Sequence, residues 1–237
     1  MFLTKIRIGF YFLFTFIALI ISFLPLTLTF YWFVTNEITN LVIYIFSPII
    51  LIFLYILTCF IFSMIHPIFV VNIFLPSMKE GIYPHRSDIG KLMALRLIAD
   101  SITKSLFKML TWIPFLTSRF MFPKLMRFYG FKCGTGVHIS TNTYIDYCLT
   151  EIGDRSFVGY GAGIAGHYRQ NGKLILKKVI IGSKVTIGTF SRVTPGCEIG
   201  DKAILGAMSS LAPNSIMEPG SIYIGTPASK TEKKNSF

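Results

Sequence analysis

The residue best suited to chemistry in this chain is His167, in the sequence Ala165-Gly166-His167, where a regular repeat is interrupted. A neutral imidazole titrates near working pH, so it can take a proton from a hydroxyl or an amine as that group attacks a thioester. A histidine at the base of a loop can equally serve to satisfy backbone groups. The residue type and its position leave both roles open.

The repeat around this interruption has a period of six residues. An aliphatic residue marks each period, and a small or β-branched residue stands four positions later. The aliphatic positions are Ile181, Ile187, Val193, Ile199, Leu205 and Leu211, and the small ones are Val185, Ser191, Cys197, Ala203, Ser209 and Ser215. A second phase upstream contains Ile139, Ile145, Ile152, Val158 and Ile164. This spacing fits neither a helix nor simple strand alternation, but it fits a solenoid in which each hexapeptide forms one flat side. We therefore predict a parallel β-helix over residues 131–230.

The repeat is interrupted between Ile164 and Ile181. Asn171-Gly172, a strong hairpin signal, lies inside this gap between two short strand-like segments. We predict a β-hairpin that projects sideways from the solenoid with His167 at its foot. Because the wall of a solenoid has little concavity, such an arm is a means of building a pocket.

Composition points to a membrane. The chain is 52% hydrophobic and 14% charged, and it contains 23 Phe. Residues 8–34 and 41–64 carry no charge, and each is long enough for a hydrocarbon core of about 30 Å. We predict a transmembrane hairpin over residues 1–75. A cleaved signal peptide is the rival interpretation of the first span, but no A-x-A-like site follows it.

The basic residues predict an orientation. Lys5 and Arg7 precede the first span, the connection holds only Glu37, and Lys79, Arg86, Lys91 and Arg96 follow the second. Both termini and the β-helix are therefore expected on the cytoplasmic side. Of the net charge of +12, about +7 falls in residues 1–130, where a membrane surface explains it better than nucleic acid, for which no motif is present. The cysteines form no C-x-x-C pair, and we interpret them as buried, reduced thiols.

Residues 76–130 are expected to form an amphipathic collar, and residues 231–237 a flexible tail. A helix over residues 87–112 would begin with Ser87 or Asp88 as its cap. Its apolar side would hold Ile89, Leu92, Met93, Leu95, Ile98, Ile102, Leu106 and Met109, and its polar side Lys91, Asp100, Lys104 and Lys108. Such a helix lies in the membrane interface or caps the solenoid.

The chain resembles the hexapeptide-repeat acyltransferases. The resemblance rests on the isoleucine-glycine hexapeptides, on Gly166-His167, on residues 193–196 (VTPG) and on residues 225–228 (GTPA). It implies an all-β left-handed parallel β-helix, a homotrimer and an acyl-CoA co-substrate, acetyl-CoA above all, with no metal. In the galactoside and maltose O-acetyltransferases, which the pattern resembles most, the matching loop histidine is the catalytic base.

The resemblance also implies where other site residues lie. Pantetheine would run beside Gly188, Thr189, Gly206, Ala207 and Ser209, with a backbone N–H near Thr189 as the oxyanion donor. Lys184, Arg192 and Lys202 would attract phosphates of CoA, although solvated lysines on a surface are the simpler interpretation. The acceptor would contact Asn142, Tyr144, Asp146 and Tyr168, with turn chemistry as the other explanation for Asp146.

The chain also resembles the carboxy-terminal membrane region of polylysine-type peptide synthetases and their stand-alone relatives. This resemblance rests on a membrane segment, on an apolar collar that ends in residues 125–134 (LMRFYGFKCG) and on a hexapeptide domain with residues 164–168 (IAGHY). We therefore expect a membrane-anchored acyltransferase that acts on a small-molecule or lipid-linked acceptor. The alternatives are the acceptor-side component of a peptide synthetase system and a non-catalytic trimeric scaffold. A zinc enzyme of the carbonic anhydrase type needs three imidazoles, and the solenoid contains only His138 and His167.

Overall fold

A computed structural model describes the chain as two compact units. The residues it describes are 2–35, 41–66, 71–109, 127, 130–140 and 142–231. The helical unit comprises Met1–Pro76 and Leu92–Trp112, and the β unit comprises Ser77–Lys91 and Ile113–Phe237. The predicted collar is thus divided between the two units. The predicted connection at 36–40, the collar segment 110–126 and the tail at 232–237 lie outside the described residues.

The helical unit contains two long apolar helices and two others among the described residues. They are α1 (Phe2–Thr35), α2 (Leu41–Ile65), the short α3 (Asn72–Phe74) and α4 (Asp88–Met109), which enters this unit at Leu92. The hydroxyl of Tyr11 lies 3.3 Å from Nε2 of His66, so the beginning of α1 lies beside the end of α2. Within the described residues, Thr4–Trp32 is the stretch that is long and apolar enough to cross a membrane, with a mean hydropathy of 2.3.

Helix α4 begins as predicted, but its buried side coincides only in part with the predicted apolar side. The N–H of Gly90 donates to Oγ of Ser87 at 3.1 Å, so Ser87 is the cap. Asp100, expected on the polar side, is buried, and Ile98, expected on the apolar side, is half exposed. The reason is an ion pair between Asp100 and Arg96, whose guanidinium also donates to the Val71 carbonyl at 3.2 Å. A buried charge persists where it is paired in this way.

The β unit is a parallel β-helix with three sides. Side 1 contains β2 (Lys132–Cys133), β5 (Thr150–Ile152), β10 (Val179–Ile181), β13 (Glu198–Ile199) and β15 (Ile216–Met217). Side 2 contains β3 (His138–Ile139), β6 (Phe157–Val158), β11 (Thr186–Ile187), β14 (Ile204–Leu205) and β16 (Ile222–Gly225). Side 3 contains β4 (Tyr144–Ile145), β7 (Gly163–Ile164) and β12 (Arg192–Val193).

The period of six builds these sides. Each hexapeptide supplies one short strand, and its aliphatic residue points into the core, where Ile187 and Leu205 are fully buried and paired one coil apart. The small residues fill the corners, and Cys197 is buried there with its thiol donating to the Ala212 carbonyl at 3.2 Å. Cys133 and Cys148 are only half-buried, so the prediction that the cysteines are buried is wrong for these two. Long aliphatic side chains stacked along one axis thus form the core.

A turn at each corner joins a strand of one side to a strand of the next side. The lysine corner, between sides 1 and 2, carries Lys184 and Lys202, and the aromatic corner, between sides 2 and 3, carries Phe190 and Met208. All four residues have positive φ, between 56° and 59°. The arm corner, between sides 3 and 1, is where the repeat is interrupted.

The predicted hairpin is present at the arm corner and has a third strand. Strands β8 (His167–Gln170) and β9 (Lys173–Leu176) pair antiparallel around Asn171-Gly172, both of which have positive φ. Strand β1 (Gly81–Pro84) pairs antiparallel with the outer side of β9. We call this three-stranded sheet the arm. The sequence did not predict β1.

The β-helix ends in a strand where the sequence predicts the start of a loose tail. Strand β17 (Ala228–Thr231) turns back and pairs antiparallel with β16, so Thr231 is the last residue of a sheet. The side chain of Lys230 bonds to Glu218, and this bond raises the pKa of the lysine.

Candidate active site

His167 is the first residue of β8, where the chain leaves the β-helix to form the arm. The base of the arm is closed by the N–H of Lys177, which donates to the Gly166 carbonyl at 2.8 Å. Just before the arm, the N–H of Ala165 donates to the carbonyl of Val193 in the next coil at 3.0 Å. His167 therefore starts from a backbone that the β-helix fixes. Its side chain is 27% exposed, so solvent or a substrate can reach it.

The imidazole of His167 is bonded to Asp146 of the preceding coil. Its Nδ1 lies 2.6 Å from Oδ2 of Asp146, and the same oxygen accepts the N–H of Gly166 at 2.9 Å. The side chain of Asp146 is only 2% exposed. A short contact to a buried carboxylate is the geometry of a charge-assisted hydrogen bond.

The position of Asp146 is itself fixed by backbone bonds. Its N–H donates to the Ile164 carbonyl at 3.0 Å, and its carbonyl accepts the hydroxyl of Thr150 at 2.9 Å. A 3₁₀ turn, Tyr147–Leu149, then leads into side 1. A Cβ at Gly166 would lie 2.4 Å from Cβ of Leu149, so only glycine allows this approach of the two coils.

This arrangement can hold a base in one tautomer. A carboxylate only accepts hydrogen bonds, so Nδ1 carries the proton and Nε2 has the free lone pair. When Nε2 takes a proton, the neighbouring carboxylate stabilises the imidazolium that forms. Within the described residues, this imidazole forms its hydrogen bond through Nδ1. Nε2 is therefore available to a substrate. The pair can therefore work as a general base.

The other predicted acceptor residues lie apart from this pair. Asn142 is at the aromatic corner, and Tyr144 faces outward from side 3. Tyr168 follows His167 in an extended strand, so its side chain points to the opposite face of the arm. Asp146 was expected to touch the acceptor, but its burial and its bond to His167 give it a positioning geometry instead. The structure thus brings only Asp146 to His167.

The predicted cofactor residues are spread over two corners and a side. Gly188, Thr189, Gly206 and Ala207 stack at the aromatic corner, where the N–H of Met208 donates to the Thr189 carbonyl at 2.8 Å. Ser209 is 1% exposed and its hydroxyl accepts the N–H of Gly225, so it cannot reach a ligand as expected.

The basic candidates do not gather at the aromatic corner. Arg192 lies on side 3, folded back so that its guanidinium donates to the Gly161 carbonyl at 2.8 Å. Lys184 and Lys202 lie at the lysine corner. Within one chain, therefore, the aromatic corner, the lysines and His167 occupy three separate places.

A cleft of about 550 Å³ opens on the other face of the arm. Its walls are β1, β9 and the outer surface of side 1, and its lining is Glu80, Gly81, Ile82, Ile175, Leu176, Lys177, Lys178, Ile180, Gly196, Glu198 and Asn214. Ile82 and Ile175 point to the face of the arm that carries Tyr168, since they are paired in register with it. The cleft and the imidazole of His167 thus lie on opposite faces.

Charged groups fix the wall of this cleft. Glu80 accepts the backbone N–H of Lys178 at 2.8 Å, and the ammonium group of Lys178 lies 3.2 Å from Glu151. The carboxylate of Glu151 also accepts a hydrogen bond from the ammonium group of Lys132 at 3.1 Å. This bond holds the pKa of the Glu151 carboxyl below its usual value. Residues before the repeat, such as Glu80, carry no periodic signal, and no sequence pattern marks them as part of a site.

Comparisons with known proteins agree with the repeat. Residues 178–221 match the family described as "Bacterial transferase hexapeptide (six repeats)". A galactoside O-acetyltransferase of Escherichia coli (strain K12) is 29% identical over 111 residues, which cover 41% of this chain and 54% of that protein. A delta-poly-L-ornithine synthetase of Acinetobacter baumannii (strain AB307-0294) is 24% identical over 108 residues, which cover 46% of this chain and 8% of that protein.

The comparison with solved structures also returns acetyltransferases. A hexapeptide-repeat-containing acetyltransferase from Vibrio cholerae O1 biovar eltor, complexed with acetyl coenzyme A, is 20% identical with a TM-score of 0.41. The match covers 44% of this chain and 60% of that one. The chain spans about half the length of the galactoside O-acetyltransferase and a small part of the synthetase.

Proposed function

We propose that this chain, whose β-helix belongs to the hexapeptide-repeat acyltransferase superfamily, transfers an acyl group from an acyl thioester to a hydroxyl or an amine. The observation that carries the proposal is the 2.6 Å contact between His167 and the buried Asp146. A histidine that merely satisfied backbone groups would not need a buried carboxylate on one ring nitrogen. The pair therefore favours a base over a structural histidine.

The chemical step follows from this geometry. Nε2 of His167 takes the proton of the acceptor as its oxygen or nitrogen forms a bond to the thioester carbonyl carbon. Charge that develops on the carbonyl oxygen is stabilised by a backbone N–H near Thr189. The carbon–sulfur bond then breaks, and the imidazolium gives its proton to the leaving thiolate. Asp146 holds the imidazole in place throughout and stays ionised.

The donor we propose is an acyl-CoA, with acetyl-CoA as the first choice. The E. coli relative is named an O-acetyltransferase, and the V. cholerae structure holds acetyl coenzyme A. Pantetheine would lie along Thr189 and Ala207. Because these residues and His167 occupy different corners of one chain, we propose that two copies together form each site, within a homotrimer.

Exposed apolar residues support this assembly. Phe190 and Met208 at the aromatic corner are 45% and 73% exposed, and Ile180 and Ile216 on side 1 are 44% and 66% exposed. Bulky residues also rarely adopt the positive φ that Phe190 and Met208 have. A surface of this kind is typical of an interface between subunits.

We propose a membrane location for the reaction. Helix α1 is long and apolar enough to span a bilayer, and α2 runs back beside it, so two passes with both termini in the cytoplasm fit the basic residues that flank them. The acceptor would then be membrane-associated, for example a lipid-linked sugar or peptide. The similarity to the delta-poly-L-ornithine synthetase supports a second candidate, in which the bond formed is an amide within a peptide synthetase system.

Release of free thiol tests the proposal. The full chain in nanodiscs is offered acyl-CoA donors together with hydroxyl and amine acceptors, and thiol release is followed by absorbance. We expect acceptor-dependent release that His167→Ala lowers by about 10²- to 10⁴-fold. His138→Ala, a histidine stacked on Phe157 on side 2, is the matched control and should keep full activity. Equal rates for the His167 variant and the wild type would refute the proposal, and no release with any acceptor would favour a non-catalytic scaffold.

A further inference from the structure

The end of the arm farthest from the β-helix is a basic surface. We call residues 84–88 and 169–173 the arm tip, since the N–H of His85 donates to the Gly172 carbonyl at 2.9 Å and joins the two segments. Its cationic residues are Arg86, Arg169 and Lys173, and all three are exposed. Asp88 is its acidic residue. The arm tip therefore has an excess of positive charge.

The ion pairs found among the described residues do not involve these cations. In the part of the chain that the structure describes, Arg86, Arg169 and Lys173 form no ion pair. Other cations of the β unit do so, as Lys132 and Lys178 with Glu151 illustrate. The like charges at the arm tip repel one another, and a partner of opposite charge removes this cost.

The start of α4 adds to the positive potential. Ser87 caps this helix of 22 residues, so its positive end lies within the arm tip. Arg86 comes two residues before α4, the helix for which the sequence predicts a place in the membrane interface. The arm tip is thus joined directly to that helix.

We propose that the arm tip is a docking surface for the anionic headgroups of the membrane. The inner surface of a membrane carries anionic lipids that attract clusters of Lys and Arg, and each cation near that surface contributes about fivefold in binding. Docking of the tip would hold the arm, with His167 at its base, against the surface from which a lipid-linked acceptor is presented. The inference rests on the membrane anchoring in the proposed function.

Hydrogen exchange of the full chain in nanodiscs tests this docking. Discs of phosphatidylcholine alone are compared with discs that contain about 30% phosphatidylglycerol. A third sample contains phosphatidylcholine discs with inorganic phosphate in solution. The amide exchange of residues 169–173 is followed by mass spectrometry, with residues 204–205 of β14 as the internal reference.

The variant removes the three charges together, as Arg86→Gln, Arg169→Gln and Lys173→Gln. The matched control removes three exposed charges elsewhere in the β unit, as Lys132→Gln, Arg155→Gln and Lys230→Gln. We expect phosphatidylglycerol to slow exchange at the arm tip about tenfold in the wild type and in the control, but not in the variant. About 0.5 M NaCl should abolish the slowing, because it shortens the Debye length.

The other outcomes separate the hypotheses. Equal exchange in both kinds of disc would overturn the docking and leave the proposed acyl transfer intact. Protection by inorganic phosphate alone would overturn it in favour of a soluble anion. A chain that does not enter nanodiscs would refute the membrane anchoring and this inference together.

Discussion

The carboxylate of Asp146 and the imidazole of His167 meet at 2.6 Å although they belong to different coils of the β-helix. One oxygen of Asp146 accepts both this imidazole and the backbone N–H of Gly166. The carboxylate therefore fixes the ring and also the residue from which the arm departs. The orientation of the base is thus set by the rigid β-helix rather than by the arm that carries it.

Asp146→Asn should lower kcat by about 10²- to 10⁴-fold with little change in KM for the thioester. An amide can donate to Nδ1, which would move the imidazole proton to Nε2 and remove the base. Steady-state kinetics over a range of pH would measure this. Asp154→Asn is the control, because Asp154 bonds to Thr135 in a turn outside the site, and its kcat should be unchanged. If the Asp146 variant had the kcat and the pH profile of the wild type, Asp146 would have no role in positioning His167.

Gly166→Ala should destabilise the β unit by about 1–3 kcal/mol and impair acyl transfer. The added Cβ would lie 2.4 Å from Cβ of Leu149, so two coils must separate. Gly172→Ala at the hairpin turn is the comparison, because a Cβ there meets nothing within 4 Å and only the positive φ opposes it. Thermal unfolding would measure both. A smaller loss of stability for Gly166→Ala than for Gly172→Ala would show that the coils yield easily.

Phe190→Asn should weaken the trimer while changing the stability of the fold by no more than about 1 kcal/mol. Asparagine tolerates the φ of 56° that phenylalanine adopts here at a cost, so relief of strain offsets the lost packing on Tyr160. Mass photometry over a range of concentrations would report the assembly. Arg155→Asn has the same φ at the lysine corner and should leave the assembly unchanged. Identical assembly of the Phe190 variant and the wild type would argue against an interface at the aromatic corner.

Glu151→Gln should make stability less dependent on pH. Bonds from Lys132 and Lys178 hold the pKa of Glu151 below 4.5, so its contribution is present above the unfolded pKa and is lost as pH falls through the folded value. The difference in melting temperature between wild type and variant should be largest near neutral pH and should vanish in acid below that folded value. Glu198→Gln, on the same side two coils later, is the control. A difference that persists unchanged in acid would exclude the ion pairs as its cause.

The sequence predicted those features whose cause is local. The coils follow from an aliphatic residue at every sixth position, and the hairpin follows from Asn171-Gly172. The role of Asp146 did not emerge, because its bond to His167 joins residues that only the stacking of coils brings together. In α4, amphipathic periodicity placed Asp100 in solvent, since it takes no account of the ion pair with Arg96. Contacts between residues that are distant in the sequence cannot be predicted from periodicity.

Strand β1 makes the arm depend on the order in which the chain is synthesised. Gly81–Pro84 leaves the ribosome about 90 residues before its partner Lys173–Leu176. Until then the backbone N–H and C=O groups of β1 have no partner strand, although helices α1 to α3 have already emerged. The bonds between β1 and β9 close a loop of about 90 residues, and loops of such length close slowly. The arm that carries the histidine is therefore completed only when both halves of the polypeptide are present.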